Sequence, residues 1–291
     1  MASLKEVKTR IVSVESTKKI TVARQMISAV RLRQSQGILE KLRQYAEGLE
    51  EIIADLISPQ YPLDNELTLH HSQGAVALIV MASNSGMCGS FNARMIKELS
   101  TIPLHYPNEE ILFFPIGKKI SEALSHEEGR IRGHYDELAE KISFTSASGF
   151  VDDLIHLYRS KQIKKADIFY YHYKSAATQI IMHTPLLPWS LPRHIVPTTD
   201  NENDLSIFEP SRGEILNRMM PQLIKSTFYL ALADHQTAEH GARTLAMQLA
   251  SENANDILEE LRLNYNKLRQ QTITAELLDI IGGSIVGNSF A

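Results

Sequence analysis

The apolar positions of this chain follow two periods, and the longer one dominates the ends. Between Ser211 and Val286 there is no proline after Pro221 and no glycine between Gly241 and Gly282. Ala, Leu, Glu and Gln, which lose little on entering a helix, fill the middle of the stretch. Ser211 followed by Glu214 has the spacing of a capping box, in which hydroxyl and carboxylate satisfy backbone donors reciprocally. Ala254, Ile257, Leu261, Leu268, Ala275 and Leu278 then alternate at three and four residues, with Asn264 and Gln271 as polar interruptions, which is the period of a coiled coil. Some 75 residues of helix would span roughly 110 Å. A small core cannot surround such a rod, so its apolar seam needs a partner.

The N-terminus offers one. Ser3 and Glu6 form a second capping box, and Leu4, Val7, Ile11 and Val14 open another helical stripe. It continues through Ile20, Ala23, Ile27 and Val30 and, after a small change of register, through Ile38, Leu42, Tyr45, Leu49, Ile52 and Leu56. Pro59 and Pro62 end it. The pattern predicts a long antiparallel coiled coil of residues 1–58 and 211–287.

Between these helices the period shortens. Ala75 to Met81 reads AVALIVM, a nearly continuous apolar run of the kind buried on both faces of a sheet. A turn-rich stretch from Ser83 to Ser90 follows, then a helix from Asn92 to Leu99, a strand from Ile111 to Ile116, and a helix from Gly117 through Leu124. Ser146 to Tyr158 is helical and Ala166 to Tyr173 is an aromatic, β-branched strand. Thr184 to Pro197, which contains four prolines and Trp189, reads as irregular, and Asp200 to Asp204 as a polar linker. Strands alternating with helices predict an α/β class domain with a parallel or mixed sheet, Rossmann-like, inserted over residues 70–198 between the two helices.

Composition narrows the function classes. The 291 residues carry a formal net charge of −4, which argues against a dedicated nucleic-acid binder. Cys88 is the only cysteine, so no intramolecular disulfide is possible and a reducing compartment is expected. No apolar signal core opens the chain and no run approaches the ~20 apolar residues that span a bilayer. Any membrane association is expected to be indirect. Charge is unevenly spread: Lys5, Lys8, Arg10, Lys18, Lys19, Arg24, Arg31, Arg33, Lys41 and Arg43 meet only Glu6, Glu15 and Glu40 before Tyr45. That run is either a solvated helix face or a surface laid against acidic protein or phosphate. Glu252, Asp256, Glu259 and Glu260 on the C-terminal helix could answer part of it.

Catalytic chemistry is hard to find. The segment Ser83-Asn84-Ser85-Gly86-Met87-Cys88-Gly89-Ser90 occupies the place of a phosphate loop, after a strand and before a helix. It lacks both the G-x-G-x-x-G and the G-x-x-x-x-G-K-[ST] spacing. Gly86, Cys88 and Gly89 are therefore expected to serve a structural strand-to-helix turn. His70 with His71, and His235 with His240, lack the i, i+4 spacing that pairs zinc ligands on one helix face. A nucleophilic Cys88 would need a base that nothing in the sequence supplies. No catalytic residue, metal or cofactor is expected.

Three stretches together resemble a known family. Met1 to Lys8 with Ser16-Thr17-Lys18-Lys19-Ile20-Thr21 is similar to the opening of the gamma subunit of rotary ATP synthases. Ala82 to Asn92 resembles that family's S-D-x-G-L-C-G-x-[LF]-N loop, and Tyr265 to Leu277 its C-terminal Y-N-K-x-R-Q-x-x-I-T-x-E signature. The resemblance implies a non-catalytic central shaft that couples proton-driven rotation to ATP synthesis or hydrolysis. It implies alpha and beta catalytic-head subunits, an epsilon-type accessory subunit and a membrane rotor ring as partners. It also implies a peripheral place on the cytoplasmic face of the bacterial inner membrane. The polar contacts with the catalytic ring would be Lys18, Lys19, Arg24, Arg269, Gln270 and Thr274, and an apolar tip of Leu278, Ile281, Ile285 and Val286 would turn in a bearing. The chain departs from the family at Arg24, where many members have methionine, at Asn84 for aspartate and at Met87 for leucine. A cation at a bearing contact requires a carboxylate or open solvent, because a buried unpaired charge costs several kcal/mol. The competing reading is a basic coiled-coil nucleic-acid-binding or adaptor protein with a Rossmann-like domain, whose nucleic-acid affinity would fall steeply with salt.

Overall fold

The computed structural model describes residues 3–57, 65–102, 106–107, 109–190 and 208–288, the side chains of 127–129 and 279–288 excepted. Two helices hold the ends, α1 (Leu4–Leu56) and α6 (Arg212–Asn288). Both begin at the expected caps. The Glu6 N–H donates to Ser3 Oγ at 3.2 Å, the Ser3 N–H donates to Glu6 Oε2 at 3.4 Å, and the Glu214 N–H donates to Ser211 Oγ at 3.3 Å. Contacts divide the chain into a helical unit, Met1–Ile27 with Thr244–Ala291, and an α/β unit, Ser28–Arg243.

The two helices run antiparallel, since Glu15 of α1 meets Arg262 of α6 at 2.8 Å whereas Arg43, later in α1, meets Asp234, earlier in α6, at 3.6 Å. Met247, Ser251, Ala254, Leu258 and Leu261 are buried on α6, with Tyr265 and Leu268 half-buried after them. This seam keeps Ala254, Leu261 and Leu268 of the sequence reading. It replaces Ile257, which is 44% exposed, by Leu258, and Asn264 by Tyr265. Residues 269–278 are exposed throughout, Ala275 and Leu278 included.

The seam of α1 also differs from the one predicted. One line of its protected positions runs through Leu4, Val7, Ile11, Val14, Lys18, Thr21, Gln25, Ser28, Leu32, Ser35, Leu39, Leu42, Ala46, Leu49, Ile53 and Leu56, an unbroken alternation of three and four. The register never changes. Instead the seam passes through polar residues, while Ile20, Ile27, Val30, Ile38, Tyr45 and Ile52 stay 48–59% exposed. Periodicity detects apolar stripes, but a helix with two of them presents to its partner whichever one the partner's geometry meets.

The α/β unit is built on a four-stranded sheet in the order β2-β1-β3-β4. Strand β1 (Ala75–Met81) lies parallel to β2 (Ile111–Ile116) and to β3 (Ile163–Tyr173), and β4 (Gln179–Leu187) closes the edge antiparallel to β3. All seven residues of β1 are buried, as a strand covered on both faces demands. One face packs Ala77, Ile79 and Ile168 against α5 (Phe144–Arg159) and against Leu223, Ile224 and Phe228 of α6. The other packs Val76, Leu78 and Val80 against Phe91, Met95 and Leu99 of α2 (Phe91–Thr101) and against Ala238 and Ala242. Two short helices, α3 (Lys118–Ala123) and α4 (Asp136–Glu140), complete the layers.

Strand β4 corrects the sequence reading. Residues 184–187, read as the start of an irregular segment, are strand; its remainder from 191 and the proposed linker at 200–204 lie outside the described residues. Pro185 is tolerated because β4 is the edge, where a missing N–H costs no ladder bond.

Candidate functional site

The loop after β1 is held from every side. Ser83 Oγ donates to the Ser85 carbonyl at 2.6 Å, and the Asn92 amide donates to Ser83 Oγ at 2.7 Å and to Cys88 Sγ at 3.2 Å. Cys88 is 3% exposed. Asn84 donates to the Asp136 carbonyl at 2.8 Å and accepts from the Lys118 N–H at 2.9 Å. An ionised aspartate could accept from Lys118 but could not donate to that carbonyl, so the departure from the family pattern is used structurally here. Met87 and Gly89 take φ of 63° and 62°, the conformation that closes the turn. The segment brings Gly86, Cys88 and Gly89 together as a braced turn, its groups engaged with one another.

The bracing continues into α6, which sequence reasoning missed. Arg243 donates to the carbonyl and hydroxyl oxygens of Ser85 at 3.2 and 3.1 Å, and its guanidinium meets Glu239 Oε1 at 2.6 Å. Both side chains are about nine-tenths buried. Burial pushes the Glu239 carboxyl up, against the pull of Arg243 and Arg31. About two turns before Arg243 the same helix buries His235, pushed down to about 3 by burial, and about one turn before it His240, pushed down to about 4 by burial and by Arg243 and Arg31. Asp234 accepts from the Tyr173 N–H at 2.8 Å, lies 2.6 Å from His172 Nδ1 and is 3.6 Å from Arg43 Nη2, tying β3 to both long helices. In sequence these residues look like the solvated face of a helix. Only their alternation with Ala233, Ala238 and Ala242 hints that the segment is enclosed.

The expected contact residues of the helical unit fall in separate places. Lys18 and Lys19 line a groove of about 930 Å³ with Glu15, Met26, Leu258, Glu259 and Arg262. Gln270, Thr274 and Leu278 share a shallower one of about 470 Å³ with Lys267. Arg24 and Arg269 are exposed and line neither groove, so Arg24 stands in open solvent on this chain. Ile281, Ile285 and Val286 lie within α6, but their side chains are outside the described residues. The ion pair of Arg262 with Glu15 sets acid on α1 and base on α6, the reverse of the polarity that the charge runs suggest.

Long helices at the two chain ends that pair antiparallel, with a mixed sheet between them in sequence, define an α/β protein with a terminal helical pair. The family model described as ATP synthase matches residues 3–285. The gamma chain of Parabacteroides distasonis ATP synthase is 40% identical over 99% of this chain and 100% of its own length. Those of Bacteroides fragilis and Flavobacterium johnsoniae are 38% and 35% identical, each over 98% of this chain. Among solved structures, a chain of the Euglena gracilis mitochondrial ATP synthase in rotational state 3 has a TM-score of 0.69 at 18% identity, covering 97% of this chain and 94% of that one. One from the central stalk and c-ring of the Tetrahymena thermophila enzyme has a TM-score of 0.58 at 20% identity over 80% of this chain. The chain belongs to the ATP synthase gamma-chain family.

Proposed function

We infer that this chain is the central rotor shaft of an ATP synthase and that it carries no active site of its own. The observation behind this reading is the exposed end of the helical pair in a member of the gamma-chain family. Residues 269–278 extend α6 with Ile273, Leu277 and Leu278 half to two-thirds exposed. An apolar helix surface of that kind gains stability only when something sheathes it. A catalytic ring of alpha and beta subunits would do so, with Lys18, Lys19, Arg24, Arg269, Gln270 and Thr274 as its polar contacts and Leu278, Ile281, Ile285 and Val286 as its apolar bearing. Residues 1–58 and 211–287 then form the shaft. Residues 70–198 form the foot that meets the membrane rotor ring and an epsilon-type accessory subunit, with Gly86, Cys88 and Gly89 bracing its first turn. Each orientation of an asymmetric shaft favours a different conformation of the surrounding catalytic sites, because only differential contact energy shifts such an equilibrium.

Among the described residues no helix is long and apolar enough to cross a membrane. Attachment through partners, on the cytoplasmic face of a bacterial inner membrane, follows from this reading. Co-purification from native membranes is the test. Recovery with two larger nucleotide-binding subunits in excess is expected, and recovery with nucleic acid in a salt-sensitive complex would support the basic coiled-coil alternative instead.

A further inference from the structure

At the end of the sheet remote from the braced turn, a cavity of about 470 Å³ is lined by His70, His71, Ser72, Lys164, Lys165, Pro185, Pro188 and Ser190. Two successive residues of a strand ordinarily point to opposite faces. Lys164 and Lys165 line one cavity because the sheet is irregular there. Ala75 pairs with Ile163 but Val76 pairs with Lys165, which leaves Lys164 as the extra residue of a bulge, and a second register shift separates Ala166 from Asp167 against β4. Bulges re-aim side chains in this way, and they occur often beside binding sites.

The lining offers hydrogen-bond donors to an anion. Every titratable residue among the described lining is a base, and the two acids that pair with its lysines, Glu109 and Asp167, are not among the lining residues. Lys164 Nζ is anchored by Glu109 and Lys165 Nζ by Asp167 at 2.7 Å. Lys165 also lies over the Tyr106 ring at 5.1 Å. Asp167 is itself fully buried and held by Tyr106 and by His183 at 3.2 Å. An ammonium has three donors. The acids use one on each lysine and fix both stems, which leaves two donors on each ammonium for a ligand and little side-chain entropy to lose. His71 is positioned too, its ring packed on Tyr158 with centroids 4.5 Å apart.

We propose that this cavity binds a phosphate group, with Lys164, Lys165, His70 and His71 as the nitrogen donors and Ser72 and Ser190 as hydroxyl donors. The volume exceeds the need of one phosphate, so the group arrives attached to something, either a second phosphate or the glycerol of an anionic lipid headgroup. This assignment is independent of the shaft reading and of the contacts proposed for it.

Two probes separate the sources: calorimetric titration of the full chain with pyrophosphate, and flotation with vesicles of pure phosphatidylcholine or of phosphatidylcholine with phosphatidylglycerol. Saturable pyrophosphate binding supports a soluble phosphate ligand. Flotation only with phosphatidylglycerol, and no pyrophosphate binding, supports a lipid headgroup. In either case the double variant His70→Gln with Lys164→Gln should weaken binding at least about tenfold, and Lys174→Gln, an exposed lysine outside the cavity, should leave it unchanged. His70→Glu at the exposed rim provides a second variant with the same expected loss should the double variant fold poorly. The proposal is overturned if neither probe binds, if the cavity variants bind as the parent chain does, or if Lys174→Gln weakens binding as much as they do.

Discussion

Arg262 and Glu15, 247 residues apart in sequence, form an ion pair of 2.8 Å across the helical unit. It puts Leu4 at about the level of Ile273, so the last stretch of α6 runs past the start of α1. The two side chains are 63% and 39% exposed, and exposed pairs contribute roughly 0.2–1 kcal/mol. A double-mutant cycle with Glu15→Gln and Arg262→Gln should therefore return a coupling energy below about 1 kcal/mol that shrinks further in high salt. The pair marks the register; Ala254, Leu258 and Leu261 supply the burial. A coupling of several kcal/mol would mean that the charges hold the helices together.

The exposed end of α6 predicts an exchange pattern. Residues 269–278 have no buried face, and a helix of that kind is marginal in water. Backbone amides of 268–286 should exchange quickly in the free chain and slowly in the assembled complex, as hydrogen exchange with mass spectrometry can follow. Strong protection in the free chain would show the segment folded back on its own protein, contrary to the shaft geometry.

Arg269 and Gln270 provide a functional counterpart. Polar groups at the rim of an interface set register and rate more than affinity. Arg269→Ala combined with Gln270→Ala should leave assembly intact and lower the number of protons pumped per ATP hydrolysed. Unchanged pumping per ATP would make both residues bystanders.

Gly117 carries a steric prediction. Its φ is 104°, and a Cβ there would stand 2.0 Å from the Ala82 carbonyl oxygen, backbone that cannot yield without parting β1 from β2. Ala82 donates to the Ile116 carbonyl at 2.9 Å beside it. Gly117→Ala should destabilise the α/β unit by more than about 2 kcal/mol. Gly86→Ala, with nothing within 4 Å of its Cβ, should cost far less. Urea melts of the two variants check the contrast.

His235 and His240 predict acid sensitivity. Burial lowers them to about 3 and about 4 in the folded chain, so between those values and the ordinary histidine range the unfolded chain binds more protons. Stability is then complete above that range and is lost as pH falls through it, at up to about 1.4 kcal/mol per pH unit for each histidine. Glu239, raised by burial, opposes one of them just above the ordinary carboxylate range, since its folded form holds a proton that the unfolded form releases. Denaturant midpoints measured from pH 7.5 to 4 should decline, and His235→Gln should flatten the slope. A flat profile in the parent chain would sink the prediction.

Local chemistry alone determined much of this protein. The capping boxes at Ser3 and Ser211, the absence of helix breakers between Gly241 and Gly282, the apolar run at 75–81 and the family motifs are all properties of neighbouring residues, and each reads directly into a helix end, a helix, a buried strand or a family. What neighbours cannot encode is which surface meets which. On α1 two apolar stripes compete. Burial went to the one that passes through Lys18, Ser28 and Ser35, leaving Ile20, Ile27 and Ile38 in solvent, because the shape of the opposing helix sets how closely each position approaches it. Strand β4 escaped for a related reason: Pro185 reads as a breaker until an edge position removes the need for its N–H. Arg243, Asp234 and Glu239 look like solvated charges until the sheet and its first loop enclose them. The cavity of Lys164 and Lys165 depends on two register shifts, and register is a relation between strands far apart in the chain.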